Sequence, residues 1–328
     1  MTSWPRRPES DNIGLMRRKK LTNNSRTPLR YPGGKGKVTC FVNHLLDLND
    51  AHGTYVEPFA GGAGVAVNLL LFNRVDRVVI NDLDPGVNSF WWALKHEPDK
   101  LISLIRQVPF DIHTTREEFG PADRHAYWKK IHDRYFTDND RGQLEIGFDF
   151  FMLNRMNVSG IIKGGPIGGH TQDGKYDISV RFNRDDLIRR IERIAERSDS
   201  IIVSNDEASH FCKKVFNGRF DLDPDDTFMF IDPPYYGQGR NLYNSYATDI
   251  IHKLVCEQLL EHGNGYKWIL TYDDASYIRD LYDDEDVNGF RYGITYSANR
   301  HGTFNELLYA PKGLAVESFD NVDLIPIR

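Results

Sequence analysis

Apolar and polar positions alternate along this chain in two regular series. The first begins at Thr54, where a short apolar run is followed by a glycine-rich turn, a continuous apolar helical run and a second apolar strand. The second begins just after Ser200 and contains two apolar strands, a helix, a third strand and another helix. Strands that alternate with helices predict an α/β fold, with a doubly wound, mostly parallel sheet and helices on both of its faces.

Two parts of the chain depart from that alternation. Between about Trp91 and Arg184, helical patterns precede a glycine-rich stretch, SGIIKGGPIGG, that predicts a loop or hairpin. We interpret residues 93–184 as an inserted, mainly helical domain, which leaves residues 26–92 and 185–328 as the main domain. Near the end, two β-rich runs flank a polar turn and predict an antiparallel hairpin that closes the sheet.

The composition is that of an ordinary soluble protein. Hydrophobic residues make up 40% of the 328 positions and charged residues 27%, and no apolar run approaches the roughly 20 residues that span a membrane. The N-terminus lacks the apolar segment of a secretory signal. Cys40, Cys212 and Cys256 lie far apart, which argues against a disulfide framework or a cysteine zinc site and favours a reducing cytoplasm.

Charge is distributed unevenly along the chain. The net charge is -6, yet ten basic residues fall between Arg6 and Lys37 against only two acidic ones, Glu9 and Asp11. The polar, proline-containing composition of residues 1–25 predicts a disordered basic tail. Such a segment would neutralise phosphates without reading a base sequence.

A glycine-rich turn between the first two predicted strands is the first motif with chemical meaning. It reads VEPFAGGAG, from Val56 to Gly64, and its glycines let a ligand approach the backbone closely. About 20 residues further on, Asp82 follows the next strand, where a carboxylate can accept hydrogen bonds from ribose hydroxyls. The pair predicts a nucleotide-like ligand, and these residues alone leave a nicotinamide dinucleotide as a rival.

A second motif, Asp232-Pro233-Pro234-Tyr235, follows the apolar strand TFMFI. It therefore lies at the carboxyl edge of the predicted sheet, where open α/β sheets bind their ligands. The prolines remove N–H donors, so the backbone carbonyls and the Asp232 carboxylate present acceptors that suit an amino group. Tyr235 offers a flat face on which a base can stack, an interaction worth about 1–3 kcal/mol.

A third motif, RYPGGK at residues 30–35, joins two glycines to the cation of Lys35, whose natural partner is a ligand carboxylate. RYPGGK, VEPFAGGAG, VINDLD and DPPY, in that order, resemble the Dam-type family of adenine-N6 DNA methyltransferases from about Leu29 to the end of the chain. Because the cofactor motifs come first, the insert next and DPPY afterwards, the order resembles the alpha group of that family. The resemblance implies a Rossmann-like S-adenosylmethionine-dependent methyltransferase sheet that carries an inserted target-recognition domain.

The resemblance also implies where the cofactor, S-adenosyl-L-methionine, binds. Tyr31 and Lys35 would hold its methionine end, the glycine turn would pass beneath it, and Asp82 would bind its ribose. Asp206, which follows the strand IIVS, would contact the amino group of its adenine ring. The full set of implied cofactor residues is Tyr31, Gly34, Lys35, Glu57, Pro58, Phe59, Gly61, Gly62, Gly64, Asp82, Asp206 and Asp232.

The implied reaction is methyl transfer to N6 of an adenine in double-stranded DNA. The target base would be flipped out of the duplex, stacked on Tyr235, and held by Asp232 and the Pro233 carbonyl, with Pro234 completing the catalytic motif. Transfer would be direct and in line, with no covalent enzyme intermediate and no metal. The rival interpretations are methylation of cytosine N4 or of another amino group, and a catalytically silent DNA-binding homologue.

Sequence-specific contacts to DNA are expected in the insert, where a glycine-rich hairpin can present a few side chains to base edges. Leu153-Asn154-Arg155, just before that hairpin, also resembles the family. Near the end, residues 305–308 resemble the family's closing segment, beside a basic loop that approaches DNA. The candidate DNA-contacting residues are Arg155, Ile161, Lys163 and Arg300. The recognition sequence, a partner restriction nuclease and the oligomeric state are left open by the sequence.

Overall fold

The computed structural model describes residues 20–31, 34–138, 140–236, 249–296 and 302–327. In these ranges eight strands form one sheet: β1 (Thr54–Glu57), β2 (Arg77–Asn81), β3 (Ile201–Ser204), β4 (Thr227–Ile231), β5 (Lys267–Asp273), β6 (Val287–Tyr296), β7 (Gly302–Pro311) and β8 (Ile325–Pro326). Across the sheet their order is β3-β2-β1-β4-β5-β7-β6-β8. Strands β1 to β5 pair in parallel with one another, whereas β6, β7 and β8 pair antiparallel. The predicted mostly parallel sheet with an antiparallel C-terminal hairpin is confirmed.

Helices cover both faces of this sheet. Within the described ranges they are α1 (Thr39–Leu48), α2 (Gly64–Leu71), α3 (Pro85–His96), α4 (Pro98–Arg106), α5 (Pro121–Thr137), α6 (Gln143–Met156), α7 (Arg184–Ala195), α8 (Ala208–Phe216), α9 (Asp249–His262) and α10 (Ser276–Leu281). Successive side chains of a strand point to opposite faces. Accordingly, Phe228 and Phe230 of β4 join one buried cluster with α1 to α7, while Met229 and Ile231 join another with α8, α9 and α10.

The helices between β2 and β3 share the core of the sheet. Helix α6 lies against α3, where the buried rings of Phe90 and Phe151 stack with their centroids 5.5 Å apart. Helix α3 also continues without a break through Ala93, the predicted start of the insert. The segment is mainly helical, as predicted, but it packs into the main hydrophobic core and does not bury a separate one.

Residues 20–25, predicted to end a disordered tail, belong to the folded body. Leu21 is buried within the first apolar cluster. The backbone carbonyl of Ser25 accepts a hydrogen bond of 3.2 Å from the Arg190 guanidinium. The folded body therefore begins before residue 26, whereas residues 1–19 lie outside the described ranges.

The three cysteines carry free thiols. Cys212 and Cys256 lie in the second apolar cluster, where burial raises the pKa of each thiol to about 12. They therefore stay protonated near neutral pH and act as apolar packing groups. In the part of the chain that the structure describes, no helix has both the length and the apolar character needed to cross a membrane.

Candidate active site

A cavity of about 640 Å³ lies at the carboxyl ends of the parallel strands. These ends share one edge of the sheet, so residues from distant motifs meet there. All twelve residues predicted to bind the cofactor line this cavity: Tyr31, Gly34, Lys35, Glu57, Pro58, Phe59, Gly61, Gly62, Gly64, Asp82, Asp206 and Asp232. The structure thus brings the predicted set together at one place, and the role of each residue stays a prediction.

The glycine-rich turn after β1 holds its shape through a close contact with Tyr31. Gly61 has a φ of +46°, and a Cβ atom there would lie 2.6 Å from the Tyr31 ring. A side chain at this position would therefore be strained and would also push the ring away. The indole N–H of the buried Trp91 donates a hydrogen bond of 3.0 Å to the Gly61 carbonyl. Two aromatic residues, Tyr31 and Trp91, thus contact the turn at Gly61.

Two acidic residues beyond β2 and β3 face the same cavity. Asp82 accepts hydrogen bonds from the backbone N–H groups of Gly61, at 2.8 Å, and Asp84, at 2.9 Å. Burial raises the pKa of Asp82 to about 7, and the charge of Asp84 adds to the rise. Asp82 therefore braces the glycine turn in addition to offering acceptors to the cavity.

Asp206 is held in a different way. Burial favours a higher pKa for its carboxyl group, but hydrogen bonds of 2.6 Å from Lys214 and from the Ser204 hydroxyl outweigh that effect and leave the pKa below its usual value. The group is therefore ionised near neutral pH. A carboxylate has about four acceptor sites, so it can still accept a hydrogen bond from a ligand amino group.

Glu57, at the end of β1, is a buried acid on the wall of the cavity. Its Oε1 atom accepts hydrogen bonds of 3.1 Å from the Tyr55 hydroxyl and from the backbone N–H of Ala66. Burial nevertheless raises its pKa to about 8. The carboxyl group is thus mostly protonated near neutral pH, and a cation that entered the cavity would favour its ionised form.

Asp232 follows β4 directly and makes an ion pair with Lys35. Its Oδ1 atom lies 2.8 Å from Lys35 Nζ and accepts a 2.7 Å hydrogen bond from the Thr271 hydroxyl on β5. Burial raises the pKa of Asp232, while the charge of Lys35 counteracts part of the rise. Among the described residues both donors bind Oδ1, so Oδ2 is the atom that can receive a ligand donor.

Glu306, on β7, ties Tyr235 to the same cluster. Its Oε1 accepts a 2.7 Å hydrogen bond from the Tyr235 hydroxyl, and its Oε2 accepts one of 2.6 Å from Tyr292. Lys35 Nζ lies 3.4 Å from that Oε2 and 5.2 Å from the centroid of the Tyr235 ring. With only 2% of its surface exposed, Glu306 belongs to the interior of the site. The neighbouring basic loop that is predicted to approach DNA stays a prediction.

Of the other residues predicted to act in catalysis or DNA contact, only some lie among the described residues. Pro234 lines the cavity, whereas Pro233 and Tyr235 do not belong to its lining. Ile161 is half-buried and Lys163 is exposed, both in the loop after α6. Their contact with bases stays a prediction. Pro32 and Gly33 of the RYPGGK motif and the candidate DNA contact Arg300 lie outside the described residues.

Arg155 holds protein backbone. Its guanidinium donates hydrogen bonds to the carbonyl of Arg181, at 2.8 Å, and to that of Pro28, at 3.3 Å. Burial lowers its pKa to about 9, with the charges of nearby arginines adding to the fall. Because its donors are engaged within the protein, these contacts favour a structural role and give no support to base reading.

Several side chains of the site were missed by sequence reasoning. Thr271 lies within a strand, Trp91 within a helix and Tyr292 on the hairpin, and none of them belongs to one of the three motifs. No local pattern marks them, because their role depends on strands that pair at long range. The pairing of Asp273 on β5 with Glu306 on β7, for example, is known only from the fold.

Comparison with known proteins agrees with the motifs. The family described as D12 class N6 adenine-specific DNA methyltransferase matches residues 31–294, which is most of the chain. The chain is similar to the type II methyltransferase M.MjaIII of Methanocaldococcus jannaschii, with 23% identity over 219 residues that cover 63% of this chain and 68% of that protein. Among solved structures, it is similar to the rRNA methyltransferase aviRa of Streptomyces viridochromogenes, with a TM-score of 0.37, 12% identity and coverage of 85% of this chain and 86% of that one. A further match, to an uncharacterized protein of Listeria monocytogenes serotype 4b, has a TM-score of 0.31 and 7% identity, and covers 84% of this chain and 70% of that one.

Proposed function

This chain belongs to the D12 class of N6 adenine-specific DNA methyltransferases, and from that premise we propose that its cavity binds S-adenosyl-L-methionine beside a flipped adenine. The observation that carries the proposal is the Lys35–Asp232 contact, because it joins the predicted cofactor motif to the predicted catalytic motif within one cavity. The substrate is DNA, and the product is N6-methyladenine.

The residues of the cavity fit this cofactor. A volume of about 640 Å³ is in the range of small-molecule and cofactor sites. The cationic methionine end matches the buried Glu57 carboxyl, since a positive charge would offset the burial that raises its pKa. The Gly61 turn brings backbone to the cavity wall, and Asp82 and Asp206 offer acceptors for ribose hydroxyls and for the adenine amino group.

Asp232 and its neighbours suit an adenine amino group. Lys35 and Thr271 fix Oδ1, so the carboxylate has a set orientation and presents Oδ2 to the N6 amino group. Glu306 accepts a hydrogen bond from the hydroxyl of Tyr235, and this contact fixes the outer end of the ring on which the base would stack. The base must leave the duplex to reach this cavity, at an unstacking cost of a few kcal/mol.

The chemistry needs little more than positioning. The cofactor supplies a sulfonium-bound methyl group, which the N6 lone pair takes as the carbon–sulfur bond breaks and N6 releases one proton. A hydrogen bond from N6 to Asp232 Oδ2 draws the nitrogen lone pair out of conjugation with the ring. The raised pKa of Asp232 makes the same atom a suitable acceptor for the released proton. Electrostatic stabilisation in a preorganised site would supply most of the acceleration.

The biological setting follows from similarity alone. M.MjaIII is named a type II methyltransferase. By analogy we propose that this enzyme also methylates a fixed sequence within a restriction–modification pair. The partner nuclease is part of this proposal.

The reaction is tested by incubating the purified protein with methyl-labelled S-adenosylmethionine and plasmid DNA from a host that lacks adenine methylation. Nucleoside mass spectrometry identifies the product, and methylation-aware sequencing identifies its sequence context. Label in N6-methyladenine at one recurring sequence is the expected result. Label in N4-methylcytosine would overturn the base assignment, and no label in DNA despite cofactor binding would overturn the proposed reaction.

A further inference from the structure

Asn154, at the end of α6, joins two segments that are far apart in sequence. Its Oδ1 atom accepts a 2.8 Å hydrogen bond from the backbone N–H of Arg30. Its Nδ2 group donates to the carbonyl of Arg30, at 2.5 Å, and to the carbonyl of Gly160, at 3.2 Å. Only 1% of its surface is exposed. One buried amide thus binds the segment before the RYPGGK glycines and the loop after α6 at the same time.

The two segments also touch directly. Gly160 has a φ of +77°, and a Cβ atom there would lie 2.6 Å from the Arg30 carbonyl oxygen. Arg30 precedes Tyr31, whose ring lies against the Gly61 turn under the predicted cofactor, and Ser159 lines the same cavity. A shift of the loop by a fraction of an ångström would therefore move the wall of the cavity, because packed interiors do not compress.

Hydrogen bonds tie the loop after α6 together from one end to the other. Asn157 donates hydrogen bonds to the carbonyls of Ile161, at 2.9 Å, and Ile162, at 3.0 Å, so it spans the loop from within. The backbone N–H of Val158 binds the Gly165 carbonyl at 3.1 Å and closes the base of the loop. Lys163 stands exposed near the tip, where the proposed DNA contact lies. A displacement of the tip would therefore reach Gly160 through these hydrogen bonds, and from Gly160 it would reach Asn154 and Arg30.

We propose that Asn154 is a positioning residue that couples DNA contact at the loop of residues 157–166 to cofactor binding at Tyr31. Binding of DNA at the loop stabilises the arrangement in which Tyr31 lies against the glycine turn, and the cofactor then binds more tightly. By linkage, the cofactor strengthens DNA binding by the same factor. This inference rests on the proposed function, since it takes the cavity as the cofactor site and the loop as a DNA contact.

The test measures the affinity for S-adenosylhomocysteine by calorimetry, with and without a duplex oligonucleotide that carries the sequence found by methylation-aware sequencing. In the wild type we expect the duplex to raise the affinity by about 5- to 150-fold, the usual range of allosteric coupling. Asn154→Ala should bring that ratio close to one, because the loop then no longer holds Arg30. Gln172→Ala is the matched control: it removes a buried amide that binds the carbonyls of Ile167 and Gly169, outside the loop of residues 157–166 and away from Arg30, so the ratio should stay near the wild-type value.

The outcomes separate the inference from the proposed function. Failure of the wild type to bind S-adenosylhomocysteine would overturn the proposed function. Binding with no effect of the duplex, a normal ratio in Asn154→Ala, or an equal loss in both variants would overturn the coupling alone.

If Asn154→Ala fails to fold, hydrogen exchange of the wild type decides the matter. The Arg30 amide, which donates to Asn154, should exchange at least several-fold more slowly when the duplex is added without cofactor. Unchanged exchange at Arg30 and Tyr31 would contradict the coupling.

Discussion

Lys35 Nζ lies 2.8 Å from Asp232 Oδ1, and this contact joins the RYPGGK motif to the Asp-Pro-Pro-Tyr motif. Lys35 comes from a turn before α1 and Asp232 from the end of β4, at the centre of the sheet. The Lys35 side chain is 4% exposed and the Asp232 side chain 23%, so the lysine is buried while the carboxylate keeps access to the cavity. Loss of Asp232 would leave the buried charge of Lys35 without this partner, and breaking a fully buried pair costs about 3–5 kcal/mol, which is an upper bound here. The contact is therefore a sensitive point for stability.

Replacement of Lys35 by methionine should weaken cofactor binding and disturb Asp232. The cation that counteracts the raised pKa of Asp232 is lost, so that pKa should rise further. We expect a dissociation constant for S-adenosylmethionine at least about tenfold higher, equivalent to 1.4 kcal/mol. The acid limb of the kcat profile should move to higher pH. Lys100→Ala, which alters an exposed lysine paired with Glu97, is the control and should change neither quantity.

Replacement of Glu306 by glutamine should move the acid limb in the opposite direction. The negative charge of Glu306 contributes to the raised pKa of Asp232, so removal of that charge should lower it. Glutamine keeps an oxygen that can accept from Tyr235 or Tyr292, so the fold should be retained. Steady-state rates measured from pH 5 to 9 provide the check. A shift to higher pH, or an unchanged profile, would show that Glu306 does not act on Asp232.

Replacement of Glu57 by glutamine should make the ligand-free protein more stable at high pH. The folded-state pKa of about 8 exceeds the unfolded value of about 4.3. The folded protein therefore holds a proton that the unfolded chain releases, and stability falls as pH rises through this window. At pH 9 the variant should be more stable by an amount on the order of a few kcal/mol, because it has no charge to bury.

The same variant should respond less to the cofactor. In the wild type the cationic methionine end would offset the buried charge of Glu57, and glutamine cannot provide that charge pair. Melting temperatures with and without S-adenosylmethionine, recorded at pH 6 and pH 9, test the gain in stability at high pH and the smaller response to the cofactor. An equal ligand-induced shift in variant and wild type would argue that Glu57 does not face the cationic end.

Replacement of Trp91 by phenylalanine should loosen the glycine turn. The indole N–H that binds the Gly61 carbonyl is lost, and a buried carbonyl without a donor costs about 1–3 kcal/mol. We expect a lower melting temperature and weaker cofactor binding together. Trp92→Phe, at the adjacent position on α3, is the matched control, because Trp92 packs beside His96 and makes no described contact to the turn. Equal effects of the two variants would refute this role for Trp91.

The sequence was sufficient to predict residues that meet at one cavity, because several of them follow parallel strands. Asp82 and Asp232 each follow an apolar strand, and the carboxyl ends of parallel strands must meet at one edge. The alternation of strands and helices likewise allowed the mostly parallel sheet to be predicted. These signals are local in the sequence, so they could be found without knowledge of the fold.

The rest depended on contacts that no local pattern reveals. Glu306 reaches the site only because β7 pairs antiparallel with β5, opposite Asp273. No pattern around Arg155 predicts that its guanidinium donates to the carbonyls of Pro28 and Arg181. The change of pattern at the insert predicts a separate domain, whereas the ring of Phe151 packs into the main core beside Phe90. Tertiary packing, which periodicity does not encode, decided each case.

The most direct test of the account concerns Asp232, the residue proposed to hold the adenine amino group. Wild type and Asp232→Ala would be compared in binding of S-adenosylhomocysteine and in single-turnover methylation of the target duplex. We predict that the variant still binds the cofactor product measurably while its transfer rate falls at least about 100-fold, the scale expected when a preorganised contact to the reacting group is lost. Methylation by Asp232→Ala at the wild-type rate would contradict the proposed mechanism.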